Sequence, residues 1–335
     1  MNVLLMDIDS KIPNLALMKI SAYHKSINNK VSLITLGENK PDLNNVLRDI
    51  TPDKTYISVI FKKNKSLVDN IVGGLQFMYP ESIIDIGGSG YSLTKTLPRE
   101  IEYIMPDYDI YSNCDSSYGY TSRGCNRNCY FCIVTKKEGK FKRNMHPSRF
   151  YNPKYKKITF LDSGILWDKE WFKTVANWCI KKEISPWFTQ GFDIRLIDEN
   201  DVDILIKLHS LKGNTHFIEF AWDDIRMEKI IRNKIEMLKN QGLKIRQYAQ
   251  FYVYVDSDEE FDSGLYRCNT LKELGTNPFV MFNIDNERTK RIVNLQSWAN
   301  FKGYFWKTNF EDFCKTRNKT DYTIDEKQYM TIMDF

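Results

Sequence analysis

Short apolar runs of strand length alternate with amphipathic stretches of helical period along almost the whole of this 335-residue chain. That alternation is the strongest constraint on its fold. Runs at 3–8, 31–36, 56–61 and 82–86 read as buried strands, with helical patterns at 15–26 and 66–78. A second series follows at 118–121, 158–161, 187–193, 217–222, 248–255 and 278–284, with helical patterns at 169–182, 201–208, 225–240 and 259–274. Parallel strands need long crossovers, usually helical, so strand–helix repetition of this kind predicts α/β architecture with parallel sheets. The pattern divides into a small α/β domain over 1–111, a six-unit strand–helix domain over 112–285 and an aromatic-rich capping segment over 286–335.

A hydrophobic share of 42% is enough for a sizeable core, and the length suits about two domains. The net charge of +5 is too small for a nucleic-acid footprint, so a nucleic-acid partner is not expected. The densest basic stretch, Lys136 to Arg143, reads as a solvated loop, with a path for a phosphate backbone as the alternative. No apolar run reaches membrane-spanning length and the first residues do not have signal-peptide character, so a non-membrane, cytoplasmic protein is expected. Seven cysteines without even spacing do not form a disulfide framework, which agrees with a reducing compartment.

Three of those cysteines lie within eight residues, as Cys125-x3-Cys129-x2-Cys132. A [4Fe–4S] cluster takes four cysteines when fully ligated, so three thiolates leave one iron open for chemistry. A zinc knuckle completed by His146 is the alternative, although zinc sites usually pair two cysteine couples and no second couple is present. Cys114, Cys179, Cys268 and Cys314 are scattered and read as small buried side chains.

The cysteine spacing, placed directly after a strand, resembles the signature of the radical S-adenosylmethionine (radical SAM) superfamily. The resemblance implies a partial (β/α)6 barrel, a single [4Fe–4S] cluster on Cys125, Cys129 and Cys132, and S-adenosyl-L-methionine on the open iron. It implies that Phe131 lies beside the adenine, that Asp162, Ser163 and Gly164 form the turn for the methionine amino group, and that Gln190, Arg195 and Asn283 add cofactor contacts from strand ends. An ion pair with Asp198 or Glu199 is the alternative for Arg195. An electron donor such as flavodoxin or ferredoxin is implied, and a homodimer is compatible with the layout. The front portion resembles the cobalamin-binding, flavodoxin-like (Rossmann-like) domain of related enzymes, on its opening strand, the run Ile12-Pro13-Asn14-Leu15-Ala16-Leu17 and the Gly87-Gly88 turn. The Asp-x-His-x-x-Gly cobalt motif is missing, and the only early histidine, His24, falls inside a helix, so cobalamin is not expected. No cysteine precedes Cys114, so no second cluster is expected either.

Parallel α/β barrels place active residues at strand C-terminal ends. Asp193, Trp222, Asp223 and Tyr252 are the substrate candidates on that rule. An acidic pair beside an indole suits a flat, donor-rich ligand, while helix capping accounts for one of Asp223 and Asp224. Size and layout resemble the queuine-cleaving lyases of the superfamily, which implies a 7-deazaguanine substrate cleaved at a C–N bond to 7-aminomethyl-7-deazaguanine. Radical modification of a tRNA or a peptide, and a non-catalytic iron–sulfur or zinc protein, are the rival readings.

Overall fold

The computed structural model describes residues 1–36, 50–283, 286 and 288–319. Its contacts divide into two compact units, the first comprising 1–119, 127–139 and 145–155, the second 120–126, 140–144 and 156 onward. Strands β1 (Asn2–Asp7), β2 (Lys30–Thr35), β3 (Lys54–Ser58) and β4 (Ile83–Gly87) of the first unit form one parallel sheet in the order β2-β1-β3-β4. Its helices are α1 (Leu15–Ser26), α2 (Lys65–Met78), α3 (Arg99–Glu102) and α4 (Val134–Glu138), and a short strand β5 covers Ser117–Gly119. Alternation along β1 explains the layering, because successive side chains of a strand point to opposite faces. Val3 and Leu5 pack with Leu17 and Ile20 of α1, whereas Leu4 and Met6 pack with Val68, Ile71 and Leu75 of α2. A sheet covered on both faces reads as continuous hydrophobic runs, which is the pattern this segment carries.

The strand order reverses between β1 and β3, and open α/β sheets bind ligands at such switch points. Here the crevice is filled by the unit's own polar groups. Asn14 Nδ2 donates to Ser58 Oγ and to Ser10 Oγ, both at 2.9 Å. Asp9 accepts from the Ile60 and Phe61 amides and from Asn64 Nδ2, and Tyr111 donates to Asp7 at 2.7 Å. His24 is buried in α1 against the Tyr56 hydroxyl, 3.0 Å away, and Asn29, in agreement with a packing role. The Gly87-Gly88-Ser89-Gly90 segment is a tight turn. Gly88 has φ 94° and lies so close to the Val59 backbone that no Cβ would fit, and the Gly90 amide bonds to the Val59 carbonyl at 3.0 Å.

In the second unit a two-stranded antiparallel ribbon, β6 (Ser122–Arg123) with β7 (Lys142–Arg143), precedes the strand–helix series. The series runs β8 (Lys157–Phe160), α5 (Lys169–Lys182), β9 (Ser185–Phe188), α6 (Glu199–His209), β10 (Ile218–Ala221), α7 (Glu228–Asn240), α8 (Ile245–Tyr248), β11 (Ala249–Tyr254), α9 (Asp258–Glu273) and β12 (Asn277–Met281). Consecutive strands are parallel neighbours: β8 with β9, and β10 with β11 with β12. A single parallel bridge, Phe192 to Phe220, follows the end of β9. The strand expected over 187–193 is therefore shorter, because Gly191, at φ 70°, turns the chain before it meets β10, and the strand expected over 118–121 covers only Ser117–Gly119. The helices follow capping rules: Asp168 caps α5, and Asp198 forms a capping box with Asp201 at the start of α6.

The aromatic-rich tail forms α10 (Lys290–Asn300), α11 (Lys302–Lys307) and α12 (Phe310–Lys319). Trp298 packs on Phe305 and Phe310 at 5.0 and 5.7 Å between ring centres, and Asn300 Oδ1 accepts from the Val280 amide at 2.7 Å. These helices therefore lie alongside β12. Residues 284, 285 and 287 lie outside the described residues, and with them the predicted end of the last strand.

Candidate functional site

The cysteines lie on the excursion between β6 and β7. Gly124, with φ 77°, turns the chain out of β6 directly before Cys125. Cys129 and Cys132 share a turn in which the Cys132 amide donates to the Cys129 carbonyl at 3.1 Å. The Val134 amide points at Cys132 Sγ at 3.5 Å. All three cysteines are half-buried thiols rather than disulfides. Tyr130 is 70% exposed between them, and half-buried Phe131 meets it edge-on at 5.1 Å. Helix α4 follows, and Lys137 donates to Ser89 at 2.7 Å.

The base of the ribbon is heavily pinned. Asp162, 2% exposed at the end of β8, accepts from the Thr121 hydroxyl (2.6 Å), the Thr121 amide (3.0 Å), and the amide and hydroxyl of Ser122, each at 2.5 Å. Burial pushes its carboxyl upward, and the hydrogen bonds of Ser122 and Thr121 act against that. The Trp171 indole donates to the Thr121 carbonyl at 3.0 Å, and the Asn144 amide bonds to the same carbonyl. Gly164 stands where a Cβ would meet the Trp167 ring at 2.8 Å and the Gly124 carbonyl at 3.6 Å. The turn Asp162-Ser163-Gly164 was expected to contact the methionine amino group. Asp162 instead spends its carboxylate on the backbone and hydroxyls of 121–122, and Gly164 gives room to the chain just before Cys125. Ser163 is half-buried beside them.

The other strand-end candidates separate into two sets. Asp193 and Arg195 pair with each other in a bidentate contact, Nε to Oδ1 at 2.7 Å and Nη2 to Oδ2 at 3.0 Å. Asp193 also caps the turn Ile194–Leu196, so Arg195 is paired with it and not with Asp198 or Glu199. Trp222 is fully buried, with its indole N–H on the Asp224 carbonyl at 2.8 Å. Its faces are used in the core, which removes it as a stacking surface. Asp224, not Asp223, is the cap, bonded to the Arg226 amide and guanidinium. Asp223 accepts from the Tyr254 amide at 3.2 Å, and burial pushes its carboxyl up to about 6. Gln190 is exposed next to Thr189, and Asn283 is half-buried, its carbonyl bonded to the Asn286 amide. Tyr252 is buried, and its hydroxyl donates to the Thr189 carbonyl at 3.1 Å.

Two important residues were missed by the sequence reading. Arg267, 2% exposed on α9, donates to the Trp222 carbonyl at 2.7 Å and the Tyr254 carbonyl at 2.9 Å, tying the ends of β10 and β11 together. Glu219, 5% exposed in the middle of β10, faces Tyr252 and Trp187, and burial pushes its carboxyl up to about 7. A charged residue inside an apolar run was the available signal for Glu219; nothing in the helical pattern of α9 marked Arg267.

Three thiols within eight residues fit the donor chemistry of an iron–sulfur cluster, and an amide directed at one sulfur is the kind of contact that tunes such a cluster. Among the described residues, no three His, Cys, Asp or Glu side chains are gathered into a metal-binding group. His146 uses Nδ1 to cap the turn Pro147–Arg149, accepting from the Ser148 amide at 3.3 Å. No described helix is long and apolar enough to cross a membrane. The chain matches no family model and no curated protein.

Proposed function

We propose that this chain is a radical SAM enzyme acting on a small molecule. The observation that carries the reading is the Cys-x3-Cys-x2-Cys loop, mounted on a ribbon whose base is fastened by Asp162 and Trp171. Cys125, Cys129 and Cys132 would hold a [4Fe–4S] cluster, which when bound supplies the electron that splits S-adenosyl-L-methionine into methionine and a 5′-deoxyadenosyl radical. We read the consecutive parallel strands as a partial (β/α)6 barrel and the first unit as a flavodoxin-like domain without cobalamin. The chain's own part is to present the thiols, keep Phe131 beside them and hold the substrate on the strand array. An electron donor such as flavodoxin or ferredoxin and a reducing cytoplasm complete the reading.

For the substrate we favour a 7-deazaguanine base, with queuine cleaved at its C–N bond to 7-aminomethyl-7-deazaguanine. The buried acid and the aromatic rings on the non-helical face of β9 to β12 support a flat, donor-bearing ligand. Incubating anaerobically reconstituted protein with queuine, a tRNA panel or a peptide panel separates the candidate substrates. Turnover of queuine to the aminomethyl base is the expected result; turnover of only a tRNA or a peptide would end the lyase assignment.

A further inference from the structure

Pleating places Glu219 on the face of the strand array that its helices do not cover. Phe188 and Phe192 pack against Phe172 of α5, at 6.2 and 5.7 Å between ring centres. Phe220 bridges Phe192 and is in register with Phe251, so these rings share the helix side. Trp187, Glu219 and Tyr252 each stand one residue away from that set and therefore point to the opposite side. Phe279 joins them, in register with Tyr252 and edge-on to it at 6.3 Å. Gly191 keeps the space tight, since a Cβ there would lie 3.0 Å from the Glu219 carbonyl and 3.3 Å from the Tyr252 ring. Within this aromatic surround Glu219 is 95% buried, and its Oε2 has no hydrogen-bond partner. The Tyr252 hydroxyl donates to the Thr189 carbonyl, and although Tyr252 and Trp187 both reach the Glu219 carboxyl, Oε2 stays open. A buried acceptor left open is unfavourable, and a ligand donor recovers that cost.

We propose that Glu219 is a ligand-binding residue whose Oε2 accepts from the amino group of a planar heterocycle lying among Trp187, Tyr252 and Phe279. The assignment deepens the proposed function by naming the substrate group that is read, and it rests on that reading for the ligand class. The probes are 7-deazaguanine and 7-deazahypoxanthine, which differ by the exocyclic amine, titrated calorimetrically into wild type and Glu219→Gln. Wild type is expected to prefer the amine-bearing base by at least tenfold, and Glu219→Gln to lose that preference while binding 7-deazahypoxanthine within about threefold of wild type. A thermal melt confirms that the conservative variant folds; if it does not, the comparison is made with Glu219→Asp, which keeps the charge but shortens the reach and is expected to lose the same preference. Equal preference in wild type and variant, no binding of either base by wild type, or an effect of the substitution confined to S-adenosyl-L-methionine affinity would each overturn the assignment. Binding needs no cluster. A protein that binds the base through Glu219 but forms no 5′-deoxyadenosine would overturn the proposed reaction and leave this inference standing.

Discussion

At the residue scale, Glu219 links stability to pH. Its carboxyl titrates near 7 in the folded chain instead of the ordinary 4.5, because burial disfavours its charge. A group raised on folding contributes its stability below the unfolded value and loses it as pH rises through the folded one. Glu219 therefore costs the wild type about 3 kcal/mol between pH 4.5 and pH 8. Glu219→Gln removes the titration while all other groups titrate alike in both proteins. Urea melts at pH 5 and pH 8 should show the variant gaining most of that amount relative to wild type; a pH-independent difference would contradict it. The residue illustrates what the sequence makes legible. Tyr252 and Asp223 could be nominated because they fall at strand ends, but whether a polar side chain is consumed by its own fold depends on contacts distant in sequence. Asp162 and Thr121 are 41 residues apart, and Trp222 gives no local sign that its indole is satisfied two residues on.

At the scale of elements, two fasteners decide whether the strand ends and the cysteine ribbon keep their places. Asp162→Asn keeps the volume but turns an amide toward donors that now have an acceptor. The loss should be about 2–3 kcal/mol by urea denaturation, with less iron retained per chain after reconstitution; unchanged stability and loading would show that the clamp does not matter. Arg267→Met leaves the Trp222 and Tyr254 carbonyls without their donor and removes one of the two cations, Arg267 and Arg195, that act on Asp223. Removing one partner of a buried charge network costs about 3–5 kcal/mol, so its urea midpoint should fall sharply, and a midpoint near that of wild type would refute the role. Element positions were legible to within a few residues because helical and strand periods differ so clearly: α1 and α5 begin and end where the apolar pattern does. The β6–β7 ribbon was not legible, since two-residue strands carry no period.

At the scale of the molecule, the alternation that dominates the sequence becomes a four-stranded parallel sheet in one unit and a series of parallel neighbours in the other. Hydrophobic pattern suffices for this because, among the described residues, helices such as α1, α6 and α9 connect successive strands and must cover them. Chemistry is not encoded in that pattern, and so it depends on the three-cysteine loop. The most direct test is anaerobic reconstitution with iron and sulfide, followed by electron paramagnetic resonance and assay of 5′-deoxyadenosine after dithionite reduction with S-adenosyl-L-methionine, for wild type and Cys129→Ala. The account predicts a reduced [4Fe–4S] signal and 5′-deoxyadenosine from wild type, with both lost in the variant. A wild type that assembles no such cluster, or a Cys129→Ala protein that retains the activity, would contradict it.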